Sequence, residues 1–203
     1  MGTMPTSAAK KTLQETQNKK RISWEAFQKK YLTREDGYKY EWLNGIVEKN
    51  PYTMDKSQLY ILRNLLDLFM MLKFKGKVAG QLMPEADLFF LENHRRPDIC
   101  WLTDEQINRL AKNEYEVPAF VIEVISNKDM MNKVVHKMQD YRAAGVKVVW
   151  HILPVYEEVH VYTGEHLERM AVCTDNKECS AAPALPEFTI LAKAVFKKGE
   201  NKE

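Results

Sequence analysis

The segment "PAFVIEVIS", residues 118–126, constrains the fold of this chain more than any other stretch. It is a nearly continuous apolar run of strand length, which is typical of a strand covered on both faces of a sheet. The amphipathic stretch "DMMNKVVHKMQDYRAAG" and a second apolar run, "VKVVWHIL", come next. Strand, helix and strand in this order predict a right-handed crossover that joins two parallel strands.

The other periodic segments complete a mixed sheet with helices on its faces. Ser23 predicts the cap of a short aromatic-rich helix, and the Asn44-Gly45 pair predicts a hairpin. Apolar positions that recur at three and four predict a long helix over 55–74. The sequence also predicts two strands, "KVAGQLMPEADLFFL" and "RRPDICWL", a short helix in "TDEQINRLAKN" and an outer strand in "EEVHVYTG". A last strand or short helix is predicted at the end of the chain. The predicted fold class is therefore α/β or α+β, a mixed β-sheet flanked by helices.

Length, charge and cysteine content indicate one ordinary domain. The chain has 203 residues, and none of its apolar runs approaches the roughly 20 residues that span a bilayer. We expect a mobile basic arm over 1–21, a single domain over 22–197 and a charged tail over 198–203. The arm has a net charge of +4 and the whole chain a net charge of +2, so the rest of the chain has a net charge of −2. This charge argues against a general basic surface for nucleic acid. Three cysteines with no metal or disulfide spacing suit a reducing, cytoplasmic location.

Two carboxylates interrupt apolar strands that the fold should place side by side. Asp98 follows a proline in "RRPDICWL", and Glu123 lies inside "FVIEVIS". Carboxylates on adjacent strands are hard oxygen ligands that suit Mg²⁺ or Mn²⁺. Such an ion polarises a phosphodiester and activates a bound water. The structural alternatives are an ordinary turn acid for Asp98 and a buried ion pair for Glu123, with three candidate partners: Lys137, Arg95 and Arg96.

The predicted helix after Glu123 offers a candidate lysine for this site. The buried stripe of the helix after Glu123 is defined by Met130, Val134, Met138 and Tyr141. Lys137 lies about 60° from the centre of that stripe and Lys133 about 100°, at ~100° per residue. A lysine at the border of a buried face can extend its ammonium along the sheet to orient water or stabilise charge on a phosphate. Lys137 is the first candidate and Lys133 the second, and the alternative for Lys137 is a solvated helix lysine.

The order of these motifs resembles the Uma-type restriction endonuclease family of the PD-(D/E)XK nuclease superfamily. The resemblance extends from about Tyr40 to Tyr162 and includes "YEWLNGIVE", "RRPDICWL", "FVIEVIS", "YRAAGVKVVWHILP" and "VHVY". It implies a restriction-endonuclease-like fold in which Asp98 is the Asp of the PD motif and Glu123 the acid of the (D/E)XK motif. It also implies that the main-chain carbonyl of Val124 is a metal ligand.

The chain departs from the superfamily pattern at the motif lysine. The slot two residues after Glu123 holds Ile125, so a substitute has to come from the following helix. The spacing between Lys137 and Tyr141 resembles the "K-x-x-x-Y" of the family, which favours Lys137 for this part.

Two further acids are weaker candidates. Asp87 falls on the same face as Asp98 if the strands turn near Asn93-His94, and Glu41 of the hairpin motif could reach the site from the sheet edge. A surface position or a salt bridge is the alternative for both acids. His151, in "VVWHIL", is expected to be a core or edge histidine.

The leading hypothesis is an endonuclease that hydrolyses DNA with Mg²⁺ or Mn²⁺ through Asp98, Glu123 and Lys137. Its first rival is a catalytically inactive module of the same fold, used in binding or assembly, because the motif lysine is absent from its slot. A second rival is a hydrolase of a small phosphorylated substrate, which a domain without a basic groove would suit. The superfamily resemblance also implies a homodimer, and we expect no membrane partner.

Overall fold

The computed structural model describes residues 20–51, 56–125 and 131–199. The described residues divide into two compact units, one formed by 20–51 with 92–94 and the other by 56–91, 95–125 and 131–199. Residues 1–19 of the predicted arm and 200–203 of the predicted tail lie outside the described residues. The prediction of a single domain over 22–197 stays a prediction.

The helices and strands follow one another in an order close to the one expected. In chain order they are α1 (Trp24–Phe27), a π-helical turn (Gln28–Leu32), β1 (Tyr38–Leu43), β2 (Ile46–Pro51), α2 (Lys56–Phe74), β3 (Gln81–Pro84), β4 (Leu88–Phe90), β5 (Asn93–Arg95), β6 (Ile99–Leu102), α3 (Asp104–Leu110), β7 (Phe120–Val124), α4 (Met131–Ala144), β8 (Val148–Leu153), β9 (Glu158–Thr163), β10 (Arg169–Cys173), β11 (Glu178–Ala181), β12 (Leu185–Leu191) and α5 (Ala192–Val195). Within the described ranges, none of the helices combines the length and apolarity that crossing a membrane requires.

The first unit is built on the predicted hairpin. β1 pairs antiparallel with β2, and the Asn44-Gly45 turn between them has positive φ at both residues, as expected. β1 also pairs antiparallel with β5, where Trp42 is opposite His94. Ser23 caps α1 by accepting the N–H of Ala26 at 3.2 Å. The hairpin and cap signals of the sequence are therefore confirmed.

The second unit contains a six-stranded mixed sheet in the order β10-β9-β8-β7-β6-β3. β7 and β8 run parallel with α4 between them in the chain, which confirms the predicted parallel pair, while the other neighbours are antiparallel. All five residues of β7 are buried. One face of the sheet packs on α2, through Ile61, Leu65 and Phe69, and the other face packs on α4, through Met138 and Tyr141. The predicted class, a mixed sheet flanked by helices, is confirmed.

Three details differ from the expectation. The two strands predicted before α3 are four short ones, β3 to β6, because the chain between them turns more than once through positive-φ residues such as Leu91 and Glu92. β9 alternates like an outer strand, but β10 pairs with its free edge. The C-terminal segment forms both a strand, β12, and a short helix, α5.

We expect Gly80→Ala to destabilise the second unit more than Gly76→Ala. Both glycines have positive φ, but an added Cβ at Gly80 would lie 2.2 Å from the carbonyl oxygen of Leu102, whereas nothing lies within 4 Å at Gly76. The strain of a positive φ, about 1–3 kcal/mol, is common to both variants, so their difference in urea unfolding isolates the backbone clash. Equal losses would contradict the close approach of Gly80 to β6.

Candidate active site

Asp98 directly precedes β6, and Glu123 lies in β7, the strand that pairs with β6. β6 pairs antiparallel with β7 with Ile99 opposite Ile122, so Asp98, one residue before β6, follows the same register to Glu123. Directly opposite residues of an antiparallel pair have Cβ atoms about 4.5–5.5 Å apart. Strand alternation puts Glu123 on the face of Val121, towards α4, whereas Asp98, a bend residue before β6, lines a pocket with Ile99 and with Leu62 of α2. The juxtaposition expected from the sequence is therefore present in the backbone.

Asp98 is held against the end of β7. Its Oδ2 accepts the main-chain N–H of Val124 at 2.8 Å. This bond orients the carboxylate at the residue whose carbonyl the superfamily resemblance nominates as a metal ligand. Asp98 is half-buried.

Glu123 is the centre of a buried polar network. Only 4% of the residue is exposed. Lys137 of α4 donates from Nζ to Oε2 at 2.9 Å and to Oε1 at 3.1 Å, and the Tyr141 hydroxyl donates to Oε1 at 2.5 Å. Lys137 and Tyr141 are four residues apart, so one face of α4 presents both donors to the sheet. The ion pair given above as the structural alternative for Glu123 is present, and the lysine in it is the one nominated for catalysis.

The two arginines next to Asp98 have other acidic partners. Arg95, 2% exposed, pairs with Asp140 of α4 at 2.6 Å. Arg96 forms a two-pronged pair with Asp87, at 2.7 and 2.8 Å. Arg95 therefore ties α4 to the segment that carries Asp98, which helps to fix the height of Lys137 above the sheet.

The surroundings of Glu123 contain two groups whose pKa values are strongly shifted. Burial raises the pKa of the Cys100 thiol to about 12, and the negative charge of Glu123 adds to the rise. Burial lowers the pKa of His151 to about 4, and the positive charges of His160 and Lys137 lower it as well. At neutral pH the thiol is protonated and the His151 imidazole is uncharged.

The donors at this point fit a hard divalent cation in their chemistry. The carboxylates of Asp98 and Glu123 and the carbonyl of Val124 are all oxygen ligands. Across the described ranges, no group of three or more His, Cys, Asp or Glu side chains could hold an ion by itself. An ion here would also need water and carbonyl ligands, which is usual for Mg²⁺. Asp98 and Val124 line an open pocket of about 350 Å³, solvent in its mouth included, together with Gln58 and Leu62 of α2; Glu123 does not belong to its lining.

The weaker candidates have different positions. β3 pairs with β6 so that Glu85 is opposite Asp98, and the Glu85 N–H donates to the Asp98 carbonyl at 3.1 Å. The prediction of a turn near Asn93-His94 is therefore wrong. Asp87 is a partly exposed salt-bridge partner of Arg96. Lys133 is half-buried one turn before Lys137 on α4.

Glu41 is fully buried on β1 of the first unit, with Glu48 as its cross-strand partner. Its expected approach to the site stays a prediction. So does the metal role of the Val124 carbonyl.

Two residues near Glu123 have no predicted role at the site. The sequence places Tyr141 in the buried stripe, and its hydroxyl also donates a hydrogen bond to Glu123. His151 is buried as expected, yet in β8 it stands beside Glu123 in the parallel register and shares its face of the sheet. The signal for both was available: an i, i+4 Lys–Tyr pair after an acid in a buried strand, and a histidine at the matching position of the next strand.

A family model covers most of the chain. The model described as "Uma2: Putative restriction endonuclease" matches residues 24–193. No curated protein matches the chain.

Among solved structures, the chain is similar to one described as a putative nuclease belonging to DUF820, from Anabaena variabilis ATCC 29413. The TM-score is 0.70 at 19% sequence identity, and the match covers 86% of this chain and 97% of that one. The likeness shows a shared fold, the restriction-endonuclease-like fold predicted above.

We expect Lys137→Met to lower the free energy of unfolding by about 3–5 kcal/mol, because it leaves the buried Glu123 carboxylate without its counter-charge. The double variant Lys137→Met with Glu123→Gln should recover much of this loss, since no buried charge remains. Urea unfolding measures both. Lys77→Met is the control: its pair with Glu187 is half-exposed, at 53% and 55%, so the loss should stay below about 1 kcal/mol. Similar losses at Lys137 and Lys77 would contradict the burial of the Glu123 charge.

We expect the chain to lose stability at acid pH through His151. Because its pKa in the folded state, about 4, lies below the ordinary 6.5, the unfolded chain binds a proton between these values while the folded chain does not. Stability from this group is therefore present above pH 6.5 and lost as the pH falls toward 4, by at most about 3 kcal/mol. His151→Phe should flatten this part of the stability–pH curve measured by urea unfolding. Parallel curves for both proteins would show that burial does not keep this imidazole neutral.

Proposed function

Since this chain belongs to the Uma2 family of putative restriction endonucleases, we propose that it is a metal-dependent endonuclease that hydrolyses phosphodiester bonds in DNA. Asp98, Glu123 and Lys137 are the proposed catalytic residues, and Mg²⁺ or Mn²⁺ is the proposed cofactor. The proposal depends most on one observation: the Lys137 ammonium donates to both carboxylate oxygens of Glu123.

This pair of hydrogen bonds offers a substitute for the lysine that the superfamily motif has and this chain lacks. Ile125 occupies the slot on β7 where the superfamily has its lysine, but Lys137 brings an ammonium to the same acid from α4. Because the helix lies over this face of the sheet, the amino group reaches Glu123 without a residue on the strand itself. We therefore expect a site with the same charges as the superfamily pattern, in which the positive charge comes from α4 and not from β7.

The ion would be held by the carboxylates of Asp98 and Glu123 and by the Val124 carbonyl. When bound, it supplies charge neutralisation at the phosphate and a water of lowered pKa. The protein supplies the rest. The Val124 N–H keeps the Asp98 carboxylate aimed at the end of β7, and the Tyr141 hydroxyl fixes the rotamer of Glu123. The Lys137 ammonium stabilises the negative charge that develops on the phosphate.

We expect Asp98→Asn and Lys137→Met each to lower Mn²⁺-dependent cleavage of plasmid DNA by at least about 100-fold, the typical effect of removing one charged group that stabilises a transition state. Asn is preferred to Ala at position 98 because its amide oxygen can still accept the Val124 N–H and so preserves the fold. Arg96→Met, which breaks the partly exposed pair with Asp87, is the matched control and should cleave at the wild-type rate.

Full cleavage by Asp98→Asn would end the proposal. Short oligonucleotides and nucleoside phosphates, assayed beside the plasmid, separate an endonuclease from a hydrolase of small phosphorylated substrates. The closed Glu123–Lys137–Tyr141 network favours the second candidate function, an inactive module for binding or assembly. Calorimetric titration with Mn²⁺ decides between them: no binding, or binding unchanged by Glu123→Gln, favours the inactive module.

A further inference from the structure

α2 has a second apolar stripe that faces away from the core. Its core-facing residues, which include Ile61, Leu65 and Phe69, pack on the six-stranded sheet. A further apolar set recurs along the helix at spacings of three and four and lies within about 120° of its circumference, at ~100° per residue. This outer stripe consists of Leu59, Leu62, Leu66, Met70 and Phe74. Its centre lies about 120° from the centre of the core-facing set, where a surface helix normally has polar residues.

Most of the outer stripe is open to water. Phe74 is 94% exposed, Leu59 57% and Met70 55%, while Leu62 and Leu66 are half-buried. Since a phenylalanine side chain alone can bury about 150–250 Å², the stripe presents roughly 500 Å² of apolar surface to solvent. Single exposed apolar residues are ordinary on a protein, but a contiguous row of them along one helix is typical of an interaction surface.

The spacing of the outer stripe fits a second copy of the same helix. Leu66 lies in the middle of the stripe, and the two residues before it match the two after it in spacing. When two copies of α2 pack antiparallel about a two-fold axis at Leu66, Leu62 of each copy faces Met70 of the other. Leu59 then faces Phe74 in the same way. Each residue of the stripe thus meets an apolar side chain, as a self-complementary interface requires.

We propose that the outer stripe of α2 is the surface through which two copies of this chain associate as an antiparallel, two-fold symmetric dimer. The apolar surface of the stripe, roughly 500 Å² per copy, together with a polar rim, reaches the about 800 Å² per partner of a standard protein interface. The two helices pack with their side chains interlocked, at an axis separation of about 8–10 Å. The inference does not depend on the proposed nuclease activity, because it concerns one face of α2 and none of the proposed catalytic residues.

The dimer brings the second copy to the pocket that contains Asp98. Leu62 belongs to the outer stripe and also lines this pocket, together with Gln58 and Asp98. In the antiparallel arrangement, Met70 of the second copy lies against Leu62 and so at the border of the pocket. Each chain thereby supplies an apolar border to the pocket of the other.

The first test measures the mass of the full chain in solution. Analytical ultracentrifugation over a concentration series should show a species with twice the 23.7 kDa of one chain. Met70→Glu puts an unpaired carboxylate opposite Leu62 twice in each dimer, so the dissociation constant should rise at least about 100-fold. Phe74→Glu should act in the same way, and both variants should keep the fold, because Glu is a good helix former and both positions are largely exposed. Met131→Glu, at a 74% exposed methionine of α4, is the matched control and should leave the dissociation constant unchanged.

Two results of this test would overturn the inference. One is a wild-type chain that is monomeric at every concentration, and the other is a dimer that Met70→Glu and Phe74→Glu leave intact. Co-sedimentation with vesicles of phosphatidylcholine and phosphatidylglycerol examines a lipid surface as the other occupant of the stripe. A monomeric chain that binds these vesicles, and loses the binding in Met70→Glu, would assign the stripe to lipid instead.

The second test determines the orientation of the two helices. Leu59→Cys combined with Phe74→Cys should form a disulfide-linked dimer with oxidised glutathione, because the two positions face each other. Phe74→Cys alone should not, because its two copies lie about 24 Å apart along antiparallel helices, at 1.5 Å per residue, beyond the ~7 Å that a disulfide can bridge. The native cysteines Cys100, Cys173 and Cys179 are buried and should not contribute. Cross-linking of Phe74→Cys alone, or none in the double variant, would overturn the antiparallel dimer.

Discussion

A carboxylate that is almost completely removed from water governs the arrangement of the second unit. Glu123 lies in the middle of an apolar strand, where an uncompensated charge would cost several kcal/mol. Lys137 and Tyr141 remove that cost, and both come from α4. The helix that covers this face of the sheet therefore has a fixed rotation as well as a fixed position. The same constraint that makes the fold possible brings an ammonium to the acid.

The alternation of β-strands carries this constraint across the sheet. Glu123 and His151 are opposite each other on β7 and β8 and share one face of the sheet, and Asp98 precedes β6 at the position next to Glu123. On the opposite face, the intervening residues Ile99 and Ile122 pack in the core beneath α2. A shift of one residue in the pairing of β6 and β7 would take Asp98 out of register with Glu123 and break its hydrogen bond with the Val124 N–H. The apolar residues of β6 and β7 and the two acids, Asp98 and Glu123, thus specify the same strand register.

Most of this arrangement could be predicted from the sequence, for identifiable reasons. The apolar run of β7, the periodicity of α4 and the Asn44-Gly45 turn are local signals, and each gave the right element. Lys137 followed from helix geometry because the buried stripe of α4 is well defined. The register of β3 did not follow, since Leu91, Glu92 and the short strands β4 and β5 change the path of the chain in ways that composition does not reveal. The hydroxyl of Tyr141 was missed because its place in the apolar stripe was used for packing alone, although its i, i+4 spacing from Lys137 indicates that both side chains point to the same acid.

The spacing of the site along the chain also bears on how the protein folds. Glu123 bonds to Lys137 and Tyr141 across separations of only 14 and 18 residues, and Asp98 bonds to Val124 across 26. Short separations cost little chain entropy to close. The parallel strand pair and its connecting helix can therefore acquire their polar centre early, before β10 to β12 have docked. We therefore expect the charge-sensitive contacts of this site to form ahead of those that join distant parts of the chain.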